Sequence, residues 1–151
     1  MNRFFTRPPK RSVFLILVLL FCILSLAGCS KTEQKKAQII RMVTENRETL
    51  MQDIADWDFT DSDSIEGIEF VNLMKPYVVY DCGGHGIAPS STEYGFYYSP
   101  DDRPLGAFEN IIFSTGKGLS KDGAGYSGNF SGNRYYTEKI CDGLWYYEFH
   151  F

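Results

Sequence analysis

An uncharged apolar run near the start of the chain, followed abruptly by polar sequence, constrains this protein more than any other feature. The run spans residues 13–24, and the residues before it include four basic side chains and no acidic one. This layout is typical of a secretory signal peptide. As a helix the run would measure about 18 Å, against roughly 30 Å of bilayer hydrocarbon. We therefore expect a cleaved leader, with a retained N-terminal anchor as the alternative.

The sequence Leu26-Ala27-Gly28-Cys29 closes this region. An aliphatic residue three places before a cysteine, with small residues between them, resembles the lipobox of bacterial lipoproteins. The resemblance covers residues 1–29 and implies a signal peptide over 1–28, cleavage after Gly28 and a diacylglyceryl thioether on Cys29. It also implies a lipid-anchored protein of the cell membrane that faces outside the cytoplasm. Two or more acyl chains would make that anchor stable, since each buried CH₂ contributes about 0.8 kcal/mol.

Length and charge restrict the exported part. Cleavage would leave 123 of the 151 residues, which is enough for one domain but not for two. All 19 acidic residues but only 11 of the 15 basic ones follow Gly28, so the net charge there is about −8. Such a surface repels nucleic acid, which we do not expect as a partner. The membrane, through the lipid on Cys29, is the expected partner, and a protein or carbohydrate ligand is possible.

Cysteine usage is consistent with export. Cys22 would leave with the leader and Cys29 would carry lipid, so Cys82 and Cys141 remain. Outside the cytoplasm such a pair predicts a disulfide, with two unpaired buried thiols as the alternative. Closing a loop of about 60 residues would stabilise the fold by roughly 4 kcal/mol.

The domain after the anchor begins with a predicted helix. We assign residues 29–38 to the lipidated cysteine and a tether, and 39–151 to one small domain. Apolar residues recur at helical spacing over roughly 33–56, which predicts one amphipathic helix. A dense acidic segment, 53–69, follows. Its carboxylates are Asp53, Asp56, Asp58, Asp61, Asp63, Glu66 and Glu69. They do not fit the register of an EF-hand loop, so we interpret the segment as a solvated connector and expect no metal.

The remainder is typical of β-structure. Strand-like runs start near Ile65 and cover residues 77–82 and 94–99, with a further short element at 111–114. Residues 116–134 suggest a loop or irregular edge strands. Tyr135–Cys141 and Leu144–Phe151 flank Asp142-Gly143, which predicts a hairpin with a type I′ turn.

In that register Ile140 faces Trp145. Trp145, Tyr147, Phe149 and Phe151 then share one face, which we expect to lie under the helix. The predicted fold class is α+β: one N-terminal amphipathic helix packed on an antiparallel sheet of four to five strands that ends in the hairpin.

Chemistry-bearing residues are few. Asp81-Cys82-Gly83-Gly84-His85 places a thiol and an imidazole on one glycine turn, but Cys82 has a competing use in the disulfide. His150 lies too far along the hairpin from Cys141 for both to bind one zinc ion. We therefore predict no catalytic residue, no cofactor and no metal site.

Tyrosine is the abundant residue that one helix-covered face cannot bury completely. Tyrosines near Ser, Gly and Asn are typical of adaptable recognition surfaces, although they also favour strands. The candidate binding residues are Tyr94, Tyr97, Tyr98, Tyr126 and Tyr146. We predict a non-enzymatic binding module; the alternative is an inhibitor or immunity-like protein that uses the acidic segment 53–69. The segments GFYYSPDD and YTEKICDGLWYYEFHF resemble small uncharacterised lipoproteins of Gram-positive gut bacteria, a resemblance that implies no activity.

Overall fold

A computed structural model describes residues 31–87, 90–108, 111–114, 118–130 and 132–151. The chain divides into two units, Met1–Gln34 and Lys35–Phe151, and the account below concerns the second. The predicted signal peptide and Cys29 lie outside the described residues, so their lipidation stays a prediction.

Three helices open the described chain. They are α1 (Lys31–Glu45), α2 (Arg47–Asp56) and α3 (Thr60–Asp63). The single helix predicted over 33–56 is therefore two helices that meet at Asn46. The Asn46 side chain donates to the carbonyl of Met42 at 2.9 Å, alongside the backbone bond from its own N–H. Asn46 has φ −106 and ψ 15, outside the helical range, so the regular helix is interrupted there.

Nine strands follow within the described ranges. They are β1 (Phe70–Met74), β2 (Tyr77–His85), β3 (Thr92–Tyr98), β4 (Gly106–Phe108), β5 (Ile111–Ser114), β6 (Ser120–Asp122), β7 (Gly125–Phe130), β8 (Asn133–Cys141) and β9 (Leu144–His150). Seven of them form one antiparallel sheet in the order β1-β2-β3-β9-β8-β7-β6, and β4 pairs with β5 in a separate two-stranded sheet. The last strand therefore lies at the centre of the main sheet.

The predicted fold class is wrong. The described protein is mostly an antiparallel sheet of seven strands with a few short helices, and not four to five strands under one packed helix. The underestimate comes from residues 116–134, where strands β6 and β7 extend the edge of the sheet. Glycine and serine are poor strand formers by propensity, but cross-strand pairing with β8 overrides that preference.

The main sheet is buried on both sides. One side, the helix face, packs Tyr80, Phe96 and Tyr146 against residues of α1 and α2 such as Val43 and Leu50. The opposite side, the far face, carries a second apolar cluster made of Val79, Tyr97, Leu105, Tyr135, Trp145, Tyr147 and Phe149. Strand β9 belongs to both clusters, so four successive residues, 144–147, are all buried. Trp145, Tyr147 and Phe149 do share one face, but it is the face away from the helices, contrary to the prediction.

The C-terminal hairpin differs from its predicted register. Cys141 pairs with Leu144 across Asp142-Gly143, as predicted, but the pairing shifts by one residue between Lys139 and Cys141. Beyond that bulge Lys139 faces Trp145, where Ile140 was expected. Gly143 has φ 76 while Asp142 is not among the residues with positive φ, so the turn is not type I′.

A buried hydrogen-bond chain fastens the segment after β3 onto the far face. The Leu105 N–H donates to the Tyr97 hydroxyl at 2.9 Å, and that hydroxyl lies 2.8 Å from Thr137 Oγ1. Thr137 Oγ1 donates in turn to the carbonyl of Tyr146 at 2.7 Å. Burial raises the pKa of Tyr97 to about 12, so its hydroxyl stays neutral. Leu105 is thereby held over one part of the far face, and another part remains open.

Candidate functional site

The open part of the far face is a cleft of about 660 Å³. It crosses strands β1, β2, β3 and β9, whose register brings distant parts of the chain side by side. Its lining consists of Glu69, Phe70, Asn72, Val79, Asp81, Gly83, Gly84, His85, Gly86, Ser91, Thr92, Glu93, Tyr147, Phe149 and Phe151. None of the five tyrosines predicted to bind is among them.

Aromatic rings form the apolar floor of the cleft. Phe149 and Phe151 pack edge to face, with ring centroids 4.6 Å apart and planes at 85°. The Tyr147 ring lies over Gly95 on the neighbouring strand, where a Cβ atom would come within 2.6 Å of the ring and 2.1 Å of the Tyr80 carbonyl oxygen. Only glycine at position 95 allows this approach, so the floor depends on that residue.

Three carboxylates enter the cleft from separate segments: Glu69 precedes β1, Asp81 lies in β2 and Glu93 lies in β3. Asp81 accepts a hydrogen bond from the Gly83 N–H at 2.7 Å. Within the described residues none of the three forms an ion pair. The cleft therefore combines an aromatic floor with three carboxylates that have no ion-pair partner among the described residues, although the Lys35 charge acts on Asp81.

Burial and mutual repulsion disfavour the charged forms of two of these groups. Burial raises the pKa of Asp81 and the nearby Glu69 charge raises it further, although the Gly83 hydrogen bond and the Lys35 charge act in the opposite direction. Burial also raises the pKa of Glu93, and the Asp81 charge adds to that increase. Perturbed carboxylates that share a cleft are a common property of binding and catalytic sites.

A β-bulge brings the carboxylates together. Asp81 pairs with Gly95, but Gly84 pairs with Glu93, so β2 gains one residue relative to β3 between these pairs. Gly83 lies in the bulge with φ 79, and a Cβ atom there would come within 2.1 Å of Glu69 Oε1. Glycine thus lets the Glu69 carboxylate lie against the backbone of β2. Bulges of this kind often redirect side chains beside functional sites.

Both histidines lie near the end of the sheet that carries the cleft. His85 Nδ1 is 3.0 Å from the Tyr94 hydroxyl, and the two rings are stacked. His150 lies between Thr92 Oγ1, 3.0 Å from its Nδ1, and Glu148 Oε1, 3.1 Å from its Nε2. An alcohol, an imidazole and a carboxylate in sequence have the order of a nucleophile and its base.

The geometry gives the Thr92–His150–Glu148 hydrogen-bond relay a structural role. Thr92 and His150 are direct partners on β3 and β9, and the Thr92 side chain is only 8% exposed. Thr92 alternates with Glu93 along β3, so its hydroxyl is directed to the helix face and not toward the carboxylates. The relay satisfies the polar groups of two paired strands, and we assign it no catalytic step.

The predicted disulfide is not present in the structure, where Cys82 and Cys141 are free thiols. The two residues lie on β2 and β8, which are three strand spacings apart in the sheet, or roughly 14 Å. A disulfide needs Cα atoms within about 7 Å. Burial raises the pKa of the Cys82 thiol to about 12, so it is not a thiolate nucleophile at neutral pH.

The five candidate binding tyrosines are not brought together. Tyr94 and Tyr146 are core residues of the helix face, and Tyr97 is a core residue of the far face. Tyr98 packs against the first cluster and Tyr126 against the second. They cannot form one surface, because they are divided between opposite sides of the sheet.

The acidic segment 53–69 is divided among separate uses. Asp53 is buried in α2 and accepts hydrogen bonds from both the N–H, at 2.7 Å, and the hydroxyl of Ser62. Asp58 accepts from the N–H and hydroxyl of Thr60, which lowers the Asp58 pKa. Glu69 belongs to the cleft. Among the described residues no group of three or more His, Cys, Asp or Glu side chains could hold a metal ion.

Comparison with known proteins gives no relative: no family model, no curated protein and no solved structure matches the chain. Within the described ranges, no helix has both the length and the apolar character needed to cross a membrane. The fold and its cleft are therefore the basis for functional inference.

Proposed function

We propose that this chain is a lipid-anchored binding protein on the outer side of the cell membrane, and that it binds its ligand in the far-face cleft without chemical conversion. The anchor rests on the sequence Leu26-Ala27-Gly28-Cys29 and the apolar run before it. The binding role rests on the cleft. The two parts of the proposal are independent and are tested separately.

The cleft carries the proposal because its size and lining suit a ligand. A volume of about 660 Å³ lies within the roughly 300–1,000 Å³ typical of small-molecule sites. Such sites are mostly apolar with a few convergent polar groups, and here Phe149 and Phe151 supply the floor while Asp81 and Glu93 supply charge. Gly95, which allows the close approach of Tyr147, and the bulge in β2 between Asp81 and Gly84 both shape this cleft, which distinguishes it from an incidental surface depression.

Binding in the cleft is tested on the full chain in an uncharged detergent. A library of neutral, cationic and anionic fragments is screened by amide chemical shifts. We expect saturable shifts at cleft residues and about tenfold weaker binding after Phe151→Ala, since the variant removes half of the Phe149–Phe151 pair. Phe130→Ala is the matched control, because Phe130 packs on the same cluster but does not line the cleft. Absence of any saturable shift in the cleft would contradict the binding role.

The anchor is tested by intact mass. The processed chain should begin at Cys29 and carry a diacylglyceryl group. In the Cys29→Ser variant, labelled palmitate should not be incorporated and the leader should not be cleaved. A chain that begins at Met1 without lipid would contradict the anchor and leave the cleft unaffected.

The acidic segment supports a second candidate, an inhibitor or immunity-like protein that blocks a basic partner. Asp56, Asp61, Asp63 and Glu66 are exposed, and no basic residue lies between Arg47 and Lys75. Capture of a basic partner that fails in high salt and after Asp61→Asn with Asp63→Asn would favour this candidate. Capture that survives both changes but fails after Phe151→Ala would favour the cleft.

A further inference from the structure

We infer that the cleft recognises an organic cation, an ammonium or guanidinium group attached to an apolar body. The inference rests on the proposed function, since it names the class of ligand that the cleft would take. It applies equally to a free amine and to a basic side chain of a peptide, because both present the same chemistry.

The charge of the cleft supports a cationic ligand. Glu69, Asp81 and Glu93 line one cavity and have no ion-pair partner among the described residues. Glu69 and Glu93 are exposed and Asp81 is half-buried. The half-buried Glu138 pairs with Lys36, whereas Asp81 accepts a hydrogen bond from the Gly83 N–H and has no ion-pair partner among the described residues. Opposite charge within about 4–6 Å of carboxylates favours their ionised form. A bound cation would therefore relieve the repulsion that Glu69 and Glu93 exchange with Asp81.

The arrangement of the carboxylates favours an organic cation over a metal ion. In the part of the chain that the structure describes, the acidic side chains do not converge in a group able to hold a metal. Glu69 lies against Gly83, while Glu93 lies on the next strand opposite Phe149. Carboxylates spread in this way suit a cation that donates several N–H hydrogen bonds in different directions, as ammonium and guanidinium groups do.

The floor of the cleft supplies the apolar half of the recognition. The rings of Tyr147, Phe149 and Phe151 lie beside the carboxylates, and Phe70 at the edge strand is 53% exposed. Aromatic rings attract organic cations through their π faces and also bury the alkyl or aryl body of the ligand. An inorganic cation has no apolar body to bury on such a floor.

The test uses three probes that share one phenylethyl body and differ in charge: phenethylammonium, 2-phenylethanol and 3-phenylpropanoate. Each is titrated into the full chain in an uncharged detergent at low salt, and amide shifts report affinity and position. We expect the ammonium to bind at least tenfold more tightly than the alcohol, and the carboxylate to show no saturable binding. Raising the salt concentration should weaken only the ammonium.

Variants assign the effect to the cleft carboxylates. Asp81→Asn and Glu93→Gln should each weaken phenethylammonium about fivefold or more and leave 2-phenylethanol unchanged. Asp63→Asn removes an exposed carboxylate on α3, outside the cleft, and should change neither affinity. Because the alcohol reports on the same floor, an unfolded variant is recognised by loss of both probes, and the neutral variant that still binds the alcohol, Asp81→Asn or Glu93→Gln, then decides the test.

The outcomes separate this inference from the proposed function. Equal affinity of the ammonium and the alcohol, with both sensitive to Phe151→Ala, would overturn the cationic ligand and keep the binding cleft. Failure of phenethylammonium to bind at all would also overturn the inference, while the fragment screen decides the binding role on its own. A parallel titration with acetyl-Lys-Phe-amide distinguishes the sources: tighter binding than phenethylammonium indicates a peptide side chain, and weaker binding a free amine.

Discussion

The two faces of the main sheet differ in how completely they are covered and in whether their charges are paired. On the helix face, α1 and α2 pack over the central strands, and Val43, Leu50 and Tyr80 have no exposed surface. Charge at its margin is paired: Lys36 of α1 forms an ion pair with Glu138 of β8, and Tyr136 donates to the same carboxylate at 2.6 Å. This face holds the helices on the sheet.

On the far face, cover is incomplete. Leu105 and Leu119 pack over one part of the cluster, and the cleft occupies another. Burial raises the pKa of both Asp81 and Glu93 there, and a neighbouring carboxylate adds to each increase, whereas the Glu138 pKa is lowered, because Lys36 and Tyr136 together outweigh its burial. The contrast indicates that one face stabilises the fold and the other carries an electrostatic cost that a ligand can remove.

The largest expected effect lies on the helix face. Leu50→Ala removes a fully buried side chain between α2 and the sheet and should lower the free energy of unfolding by about 2–5 kcal/mol. Leu73→Ala, at an edge position that is 47% exposed, should cost less than about 1 kcal/mol. Urea unfolding of the full chain, followed by circular dichroism, measures both. Similar losses for the two variants would contradict the importance of the helix face.

A smaller effect is expected where the helices are tied together. Asp53→Ala leaves the buried Ser62 N–H and hydroxyl without an acceptor and should cost about 1–3 kcal/mol. Asp56→Ala, on the exposed side of the same helix, is the matched control and should cost less than about 0.5 kcal/mol. The same urea experiment applies, and a tolerated Asp53→Ala would show that the Asp53–Ser62 contact adds little.

The paired charge of the helix face predicts a definite pH dependence. The folded pKa of Glu138 lies below its ordinary value, so its stabilising contribution is present above the unfolded pKa and is lost as the pH falls through the folded one. Glu138→Gln should cost about 1–2 kcal/mol at pH 7 and flatten the stability profile below about pH 4.5. Glu45→Gln, in an exposed pair with Arg41, should change neither. If Glu138→Gln left the pH dependence of stability unchanged, the Lys36–Glu138 pair would not stabilise the helix face, and the contrast between the two faces would be contradicted.

The local patterns in the sequence predicted individual elements better than their assembly. The run Tyr77–Cys82 and the hairpin around Asp142-Gly143 were recognisable because each uses residues typical of strands or turns. The break at Asn46 was not, because the apolar stripe continues across it from Val43 to Leu50. Periodicity reports which side of a helix is apolar, and a bend that preserves the stripe leaves no signal.

The face of the hairpin could not be chosen from the sequence for a related reason. Strand β9 is buried on both sides, so Leu144, Trp145, Tyr146 and Tyr147 do not alternate in polarity. The bulge at Ile140 then changes which residues oppose one another, and no glycine or other local cue marks it. Central strands of this kind are oriented by the rest of the sheet.

The cleft was missed because its three carboxylates come from three separate segments. Glu69, Asp81 and Glu93 form no spaced motif, and only the register of β1, β2 and β3 unites them. One signal was present: Asp81 stands inside the apolar run Tyr77–Cys82, where a charge is unfavourable unless it has a use. The sequence predicted a strand at Tyr77–Cys82, an acidic connector that includes Glu69, and a binding surface of five tyrosines, of which Tyr94, Tyr97 and Tyr146 are buried.

The central claim is that the carboxylate charge of the far-face cleft lowers the stability of the fold. The stability of Asp81→Asn at pH 7 tests this claim most directly. Because the folded pKa of Asp81 lies above its unfolded value, the ionised group destabilises the fold, and stability is lost as the pH rises through the folded pKa. Asparagine keeps an oxygen to accept from the Gly83 N–H and removes the charge. A higher urea midpoint than wild type at pH 7, with no difference below about pH 3, is the predicted result. A lower urea midpoint at pH 7 would show that the Asp81 charge stabilises the fold, which would contradict the claim that the charge is a cost that a ligand removes.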